Sequence, residues 1–579
     1  MSTTRFRRPA LGARWSFSQI RAAFDVPAPS RAWLWWTPCV LGGLYALTIL
    51  VHLHAIVYAV GLSSDSDIDA VLAHMSIHMP AGSQLTTGDF PHYETMAFAL
   101  LTRSLPFYRQ LWELAPVIFA AIGLGAVVWS VWRAFGRWPA VLVASVLTCF
   151  SGGGVATVAA GGLATVFAFD AHANSVITAA VCGAGLVWIL PRIGALPVWK
   201  IPAAAAALGV LGGLPLAGDD LYLAWGLGPT LVVIALAAWR GPQNVAARVL
   251  AFGVLAVAVT GLTSLCFAAA MRHAGVHGFT QSYHALVRFT TPGGLVTNFE
   301  TMLWALPSLT ASSFFGKTLT PRSELELLNA SLVFAALFAV AWSVRKQVAG
   351  SLPRVGDGGQ PISGRFIHTA FWTTTLGLGL LIFLIGSPAP WTTDGRYLLG
   401  PYVAVAALLP LLVERGLGWK LIVTAAASLF VFSTLYQFPI DLREMRAGYQ
   451  SASVANAVAA YAKHERVAVG YGNYWNSIDL IWNSDFKVDI YPVQNCEYAL
   501  SRKNPPYQLC TFTGISISDW NKPRSGVRSM LVVNPTAAGV QKRWAALGTP
   551  IASTRIGGLI LYVYPYDIAA KFERTRFTF

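Results

Sequence analysis

The stretch LAFGVLAVAVTGLTSLCFAAAM, Leu250 to Met271, carries no charged side chain, and as a helix it would measure about 33 Å. A bilayer's hydrocarbon core is about 30 Å thick, so this segment predicts a transmembrane helix. Ten similar runs surround it: Leu34 to Val60, Val117 to Trp132, Ala140 to Phe167, Val176 to Leu190, Ile201 to Leu216, Tyr222 to Trp239, Leu325 to Val344, Thr369 to Ile385, Leu398 to Val413 and Leu421 to Tyr436. The reading is a polytopic α-helical membrane protein of about eleven spans. The chain divides into a basic N-terminus (1–32), a transmembrane part (33–438) and a C-terminal region (439–579).

Composition agrees. Of 579 residues, 55% are hydrophobic and 12% charged, and the mean hydropathy is +0.54, too apolar for a soluble globular chain of this size. A disordered or nucleic-acid-wrapping protein is excluded, and no nucleic-acid partner is expected. The formal net charge is +15; on a membrane protein such an excess reports cytoplasmic loop charge and contact with anionic lipids. Its placement is informative. Arg5, Arg7, Arg8, Arg14, Arg21 and Arg31 precede the first span, and Arg133, Arg137, Arg192, Lys200, Arg240, Arg248, Arg345, Lys346, Arg354, Arg365, Arg415 and Lys420 fall on every second loop. Such loops are cytoplasmic. A plasma-membrane protein with a cytoplasmic N-terminus follows, with loops 61–112, 168–175, 217–221, 272–324 and 386–397, and everything past about 438, outside. The apolar run after the Arg-rich start is too long for a signal-peptide core, so the first span is expected to remain as an anchor.

Cys39, Cys149, Cys182 and Cys266 lie in apolar runs and read as small core residues. Cys496 and Cys510 sit in the polar C-terminal region: either a disulfide, placing that region in an oxidising compartment outside the cytoplasm, or two unpaired thiols.

The loops 61–112 and 272–324 are far longer than a helix connection needs, and long ordered loops usually carry function. The first opens with Ser63-Ser64-Asp65-Ser66-Asp67-Ile68-Asp69. A carboxylate at the membrane surface is costly unless solvated, paired or used. Ser66 or Asp67 can cap a helix, with Ser66 and Asp69 as a capping box. Asp65 precedes that cap and is the candidate general base, with Asp67 its rival. Ile68, Val71, Leu72 and Met75, then Tyr93, Met96, Ala97, Leu100 and Leu101, recur at helical spacing, which predicts two amphipathic helices lying in the membrane interface around a lipid substrate. His74 and His78, one turn apart, lack a third ligand at metal spacing. Asp89, His92 and Glu94 are either site acids and substrate contacts or a solvated turn and helix start.

On the same side, Phe169-Asp170-Ala171-His172-Ala173-Asn174 and Asp219-Asp220 join successive spans. His172, Asp219 and Asp220 are either contacts to donor or acceptor, with a divalent cation as one use of converging acids, or solvated loop ends. The sequence assigns no metal.

An acid at the start of the first outer loop, juxtamembrane helices after it, about eleven spans with the N-terminus inside and an outer C-terminal domain together resemble the GT-C superfamily of integral membrane glycosyltransferases. Leu101-Thr102-Arg103-Ser104-Leu105-Pro106, continuing to Leu111-Trp112-Glu113-Leu114-Ala115-Pro116, is similar to the first-loop signature of bacterial members. The resemblance implies a polyprenyl-phosphate-linked sugar donor and a first-loop aspartate as base, which maps onto Asp65. Such a donor needs cations for its phosphate, and arginine presents an always charged fork. Arg272, His273, Arg288, Lys317, Arg322 and Arg396 are on the right side; Arg396 opens a span at headgroup level and leads, with Lys317 second. Arg396 is alternatively an interfacial anchor paired with Asp394.

From about Asp441 the pattern alternates strand and helix: a helix over Val454–Lys463, strands over Val467–Tyr471, Phe486–Val493, Met530–Val533 and Leu559–Tyr564, and a helix over Ala537–Leu547, a small α/β domain. Gly470-Tyr471-Gly472 lacks the rest of a dinucleotide fingerprint. Tyr471, Tyr474, Trp475 and Trp482 either stack on sugar rings or pack the core.

The functional expectation is transfer of a sugar, arabinofuranose, mannose or another hexose, from a polyprenyl-phosphate donor to an extracytoplasmic cell-envelope glycan or glycolipid, with inversion. A transporter or flippase of a lipid-linked sugar is the alternative, for which charged residues inside spans and paired repeats are the usual pointers. The spans are poor in charge and the acids cluster at one boundary, which favours surface chemistry.

Overall fold

The computed structural model describes residues 32–52, 64–78, 82–87, 93–149, 171–278, 289–308, 318–351, 362–386, 395–448, 450–495, 509–512, 516–520, 522–534 and 547–572. Most of the chain is helical. Among the described residues seven helices are long and apolar enough to cross a membrane: Tyr108–Phe135, His172–Arg192, Leu223–Arg240, Gln243–His273, Pro321–Arg345, Gly364–Ile385 and Leu417–Pro439. Of the other four apolar runs, Ile201 to Leu216 and Leu398 to Val413 fall on the shorter apolar helices Lys200–Leu216 and Leu399–Val413, while Leu34 to Val60 and Ala140 to Phe167 start on Trp35–Val51 and Arg137–Thr148 and their later parts, 53–60 and 150–167, lie outside the described residues.

In chain order the helices that build the bundle and its loops are α1 (Ala32–Val51), α2 (Ser64–Met75), α3 (Tyr93–Thr102), α4 (Tyr108–Phe135), α5 (Arg137–Thr148), α6 (Ala171–Ile189), α7 (Lys200–Leu216), α8 (Gly228–Arg240), α9 (Gln243–His273), α10 (Pro292–Ser308), α11 (Pro321–Ser351), α12 (Gly364–Ile385), α13 (Leu399–Leu408), α14 (Pro410–Val413) and α15 (Leu417–Gly448). Helices α7 and α9 pack most closely. A Cβ at Gly209 would stand 2.8 Å from the Ala256 carbonyl oxygen, and one at Gly213 2.7 Å from that of Thr260, so the two glycines, one turn apart, let the backbones touch as small residues do between membrane helices. Val254, Leu262 and Leu265 on the far side of α9 are exposed, where hydrocarbon would meet them.

The basic residues gather at one end of the bundle and hold it together there. Arg248 donates to the carbonyls of Ile193, Gly194 and Leu196, Arg365 pairs with Glu414 and lies over Phe135, and Lys420 lies over Trp35 and Trp138. The opposite end carries the C-terminal domain. Helix α15 continues beyond residue 438 to Gly448, and α16 (Gln450–His464) starts the domain. Its strands are β3 (Val467–Gly472), β4 (Ile490–Asn495), β5 (Leu509–Thr511), β7 (Arg528–Val533), β8 (Ala552–Ile556) and β9 (Leu559–Tyr564), in the order β5-β4-β3-β7-β9-β8. Strands β4, β3 and β7 are parallel and the others antiparallel to their neighbours. Helix α17 (Tyr474–Asn483) connects β3 to β4; its N-cap Asn473 accepts from the Asn476 amide.

Two structures splice this domain to the loops of the bundle. A small sheet joins β1 (Leu85–Thr87) in the first long loop to β2 (Val276–Gly278) after α9, in parallel, and to β6 (Ser516–Ile517) of the domain, antiparallel. Helix α2 packs on α17 and α3. Here the structure corrects an expectation: Ile68, Val71, Leu72 and Met75 are buried with the domain's Ile478, Ile481 and Trp482 in one apolar cluster, not spread on a lipid interface. Tyr93 and Met96 join the same cluster, while Leu101 alone on that stripe is well exposed. A second correction follows. The strand expected over Phe486–Val493 begins only at Ile490; Asp485 and Phe486, with left-handed φ values of 58° and 57°, belong to the stop of the preceding helix. The helix expected over Ala537–Leu547 lies, but for Leu547, outside the described residues.

Candidate active site

At the domain-bearing end of the bundle, His172 and Ser175 occupy the first turns of α6, three residues apart and so on one helix face. Asp219 follows α7, its amide bonded to the Pro215 carbonyl, which turns its carboxylate back toward α6. One oxygen, Oδ1, accepts from the Leu221 amide at 3.0 Å. The other, Oδ2, accepts from Ser175 Oγ at 2.6 Å and from His172 Nδ1 at 3.1 Å. All three side chains are buried, so they are not solvated loop ends; a buried carboxylate is tolerable here because its donors replace water. Since the carboxylate holds the Nδ1 proton, Nε2 is the basic nitrogen of His172. Among the described residues no group of three His, Cys, Asp or Glu side chains is placed to hold a metal. Asp220, next to it, is exposed.

Beneath this triad lies Trp225, in a π-helical turn over Leu223–Leu227, a distortion that favours functional sites. Trp225 is fully buried in a notch that only glycine leaves open. A Cβ at Gly400 would stand 2.7 Å from its ring, and one at Gly379 3.1 Å from its Nε1. The Trp225 ring meets His172 edge-on at 6.2 Å, and the Tyr397 ring lies 5.1 Å from the imidazole on another side. Tyr397 belongs to the 3-10 turn Gly395–Leu398, so the backbone of Arg396 is one residue from a direct neighbour of His172.

The first long loop also reaches α6. Asn174 Nδ2 donates to Glu94 Oε1 at 3.4 Å, joining α6 to α3. On α3, Thr95 donates to Asp69, and this bond ties α3 to α2. Asp69 is therefore a buried clamp between helices. Helix α2 starts at Ser64, so Asp65 and Asp67 stand in its first turn; Asp65 does not precede the cap. Carboxylates in a first turn are favoured by the helix dipole. Asp65 is one turn N-terminal of Asp69, whose partner Thr95 is next to Glu94. The opposite end of α2 is fixed as well: Tyr108 Oη donates to the Ala70 carbonyl at 2.9 Å and Arg103 Nη1 to Ser76 Oγ at 2.5 Å.

The structure thus gathers Glu94, His172 and Asp219 with the turn that bears Arg396. Asp89, His92, Arg288, Lys317 and Cys496 lie outside the described residues. Arg322 pairs with the buried Glu326 at 3.2 Å. In the domain, Tyr471 and Trp482 are core residues; Tyr471 Oη donates to Asp567 Oδ1 at 2.8 Å. Tyr474 is buried and stacks on Phe512, while Trp475 is 54% exposed. Cys510 is disulfide-bonded and buried; Cys39, Cys149, Cys182 and Cys266 are free.

Sequence reasoning missed Ser175, Asn174, Trp225 and Tyr397 as site residues. Ser175 had a signal, its spacing from His172, once α6 is known to start at Ala171. Trp225 had none, because the glycines that admit it are distant in sequence.

No protein-family model and no curated protein matches the chain. Among solved structures the chain is similar to ArnT from Cupriavidus metallidurans in the apo state, at 14% identity and a TM-score of 0.41 over 92% of this chain and 99% of that one. It is likewise similar to the same protein bound to undecaprenyl phosphate, at 14% identity and a TM-score of 0.40 over 90% and 98%.

Proposed function

We propose that the protein is a membrane glycosyltransferase of the bacterial plasma membrane, with its N-terminus cytoplasmic and its sheet domain outside, transferring a sugar from a polyprenyl-phosphate donor to a glycan or glycolipid of the cell envelope. The observation that carries this reading is the meeting of Glu94, His172, Asp219 and the Arg396 turn at one end of an apolar bundle, beside the helix whose first turn bears Asp65. Lipid-linked donors present their reacting carbon at that depth, and polar groups are kept there only when used or paired.

In this reading Asp65, with Asp67 as rival, takes the proton from an acceptor hydroxyl as its oxygen attacks the anomeric carbon. The bond from that carbon to the lipid-phosphate oxygen breaks, the phosphate leaves with the electron pair, and Arg396 with Lys317 stabilises it. Attack opposite the departing phosphate inverts the anomeric centre. His172, oriented by Asp219, is a contact for donor or acceptor, as are Asp89, His92, Glu94, Asp220, Tyr474 and Trp475. Cys510 pairs with Cys496, as expected outside the cytoplasm.

The test is reconstitution of the full chain in vesicles with radiolabelled polyprenyl-phosphate arabinofuranose, mannose and other hexoses and an envelope acceptor extract. Label passing into the acceptor is the expected result. Label that stays on the lipid but crosses the bilayer would replace the reading with that of a transporter.

A further inference from the structure

Strands β3 and β4 are in register only from Gly470 and Ile490 onward. Strand β4 begins only at Ile490, and beside the segment before it, the start of β3 and α16, a cavity of about 610 Å³ opens, within the size range of small-ligand sites. Three local irregularities make the room. Asp485 and Phe486 are both left-handed and stop α17, the Phe486 amide reaching back to the Ile481 carbonyl and the Asp485 amide to that of Trp482. Ala468 is skipped in the pairing of β3 with β7, a bulge between Val467 and Val469. Ala459, Ala460 and Ala462 on α16 present no bulk to fill the gap. A bulge kept beside a cavity points to use.

The lining has a definite chemistry. Lys463 and Lys487 supply two ammonium groups, neither in an ion pair with another described residue, and both are exposed at the rim. Asp489 and Asn456 supply acceptors, and Phe486 an aromatic edge. Asn456 already gives its amide nitrogen to the Ala452 carbonyl, which leaves its oxygen for a ligand's hydroxyl. Acceptors beside an aromatic ring suit a sugar, and two lysines against the one Asp489 carboxylate leave a net positive lining that suits an anionic one.

We infer that this cavity binds an anionic saccharide unit, carboxylated or phosphorylated, of the acceptor. The inference rests on the transferase reading for the word acceptor, and the fold connects the two. Phe486 stacks on His74 of α2 with ring centres 3.9 Å apart, and Asp65 lies nine residues back along that helix, about 14 Å away. An acceptor anchored in the cavity would be positioned relative to Asp65 through one rigid element.

Binding is measured on the full-length protein in nanodiscs, without donor, using a trigalacturonate, a neutral glucan trisaccharide and glucose 1-phosphate. The charged probes are expected to bind at least tenfold more tightly than the neutral one, with a salt-sensitive affinity. Lys463→Ala with Lys487→Ala should cost tenfold or more, the paired Lys→Arg variant should retain binding, and Ala460→Trp should block it by filling the space. Preference for the uronate assigns a carboxylate, and preference for the sugar phosphate assigns a phosphate. Equal binding of the neutral sugar, unchanged binding by the alanine pair, or no binding of any probe overturns the inference. Because no turnover is read, charge-dependent binding without sugar transfer would sink the transferase reading alone, and transfer without such binding would sink this site alone.

Discussion

Asp219 accepts three hydrogen bonds inside the protein, from Ser175, His172 and the Leu221 amide. Asp219→Asn turns an acceptor-only group into one with a donating edge, facing donors, and leaves at least one of them unmatched. A loss of about 1.5–3 kcal/mol is expected, visible as a lowered thermal midpoint in detergent, together with reduced sugar transfer because His172 loses its fixed tautomer. At His74 the relevant variable is pH. Removal from water between Phe486 and Tyr108, with His78 adding a like charge, holds this imidazole below its ordinary value, partly offset by the Arg103 backbone and Asp485. The unfolded chain takes up this proton near pH 6.5. Above that pH both states are neutral at this residue and it contributes no slope; as pH falls through 6.5 the unfolded state gains the proton first and stability is lost. Thermal midpoints measured from pH 7.5 to 5 should therefore fall more for the native protein than for His74→Phe, which keeps the stack and cannot titrate. Parallel curves would remove the role given to His74.

Elements carry the site in two ways, through the notch that seats Trp225 and through the clamp between α2 and α3. Gly400→Leu would drive a side chain into the Trp225 ring, and overpacking of this kind costs about 1–3 kcal/mol. The expected outcome is a displaced His172 and lost transfer in a protein that still inserts and folds, checked by limited proteolysis beside the activity assay. Thr95→Val removes a hydroxyl from buried Asp69 and should cost about 1–3 kcal/mol. Element by element, the spans were readable because a charge-free run of twenty residues has few other uses, and α2 and α3 because their apolar stripes recur every three or four positions. What those stripes would face was not readable: periodicity says that Ile68 and Leu72 are buried, not whether lipid or the far C-terminal domain buries them. The carboxylates of the first loop show the same limit. Asp69 and Asp65 are one turn apart and alike in composition, and only the contact with Thr95, on another helix, separates clamp from candidate base.

At the scale of the whole molecule, a basic end and a domain-bearing end oppose each other across an apolar bundle, and the domain is spliced to the first loop by α2 and the small β1-β2-β6 sheet. The orientation proposed for this arrangement is tested by single cysteines placed in a variant lacking the native free thiols. A thiol at Arg555 in β8 should react with a membrane-impermeant maleimide in intact cells, and one at Arg415 should react only after the membrane is opened. The reverse pattern would put the domain in the cytoplasm and end the reading of Cys510 as an extracytoplasmic disulfide. The central claim is that the helix beginning at Ser64 brings a catalytic base to a lipid-linked donor, and the most direct measurement is sugar transfer by vesicle-reconstituted Asp65→Asn and Asp67→Asn beside the native protein. Loss of a general base costs about 10²- to 10⁴-fold. The account predicts a fall of that size in Asp65→Asn, with unchanged binding of the lipid donor; transfer at native rates by both variants would contradict it.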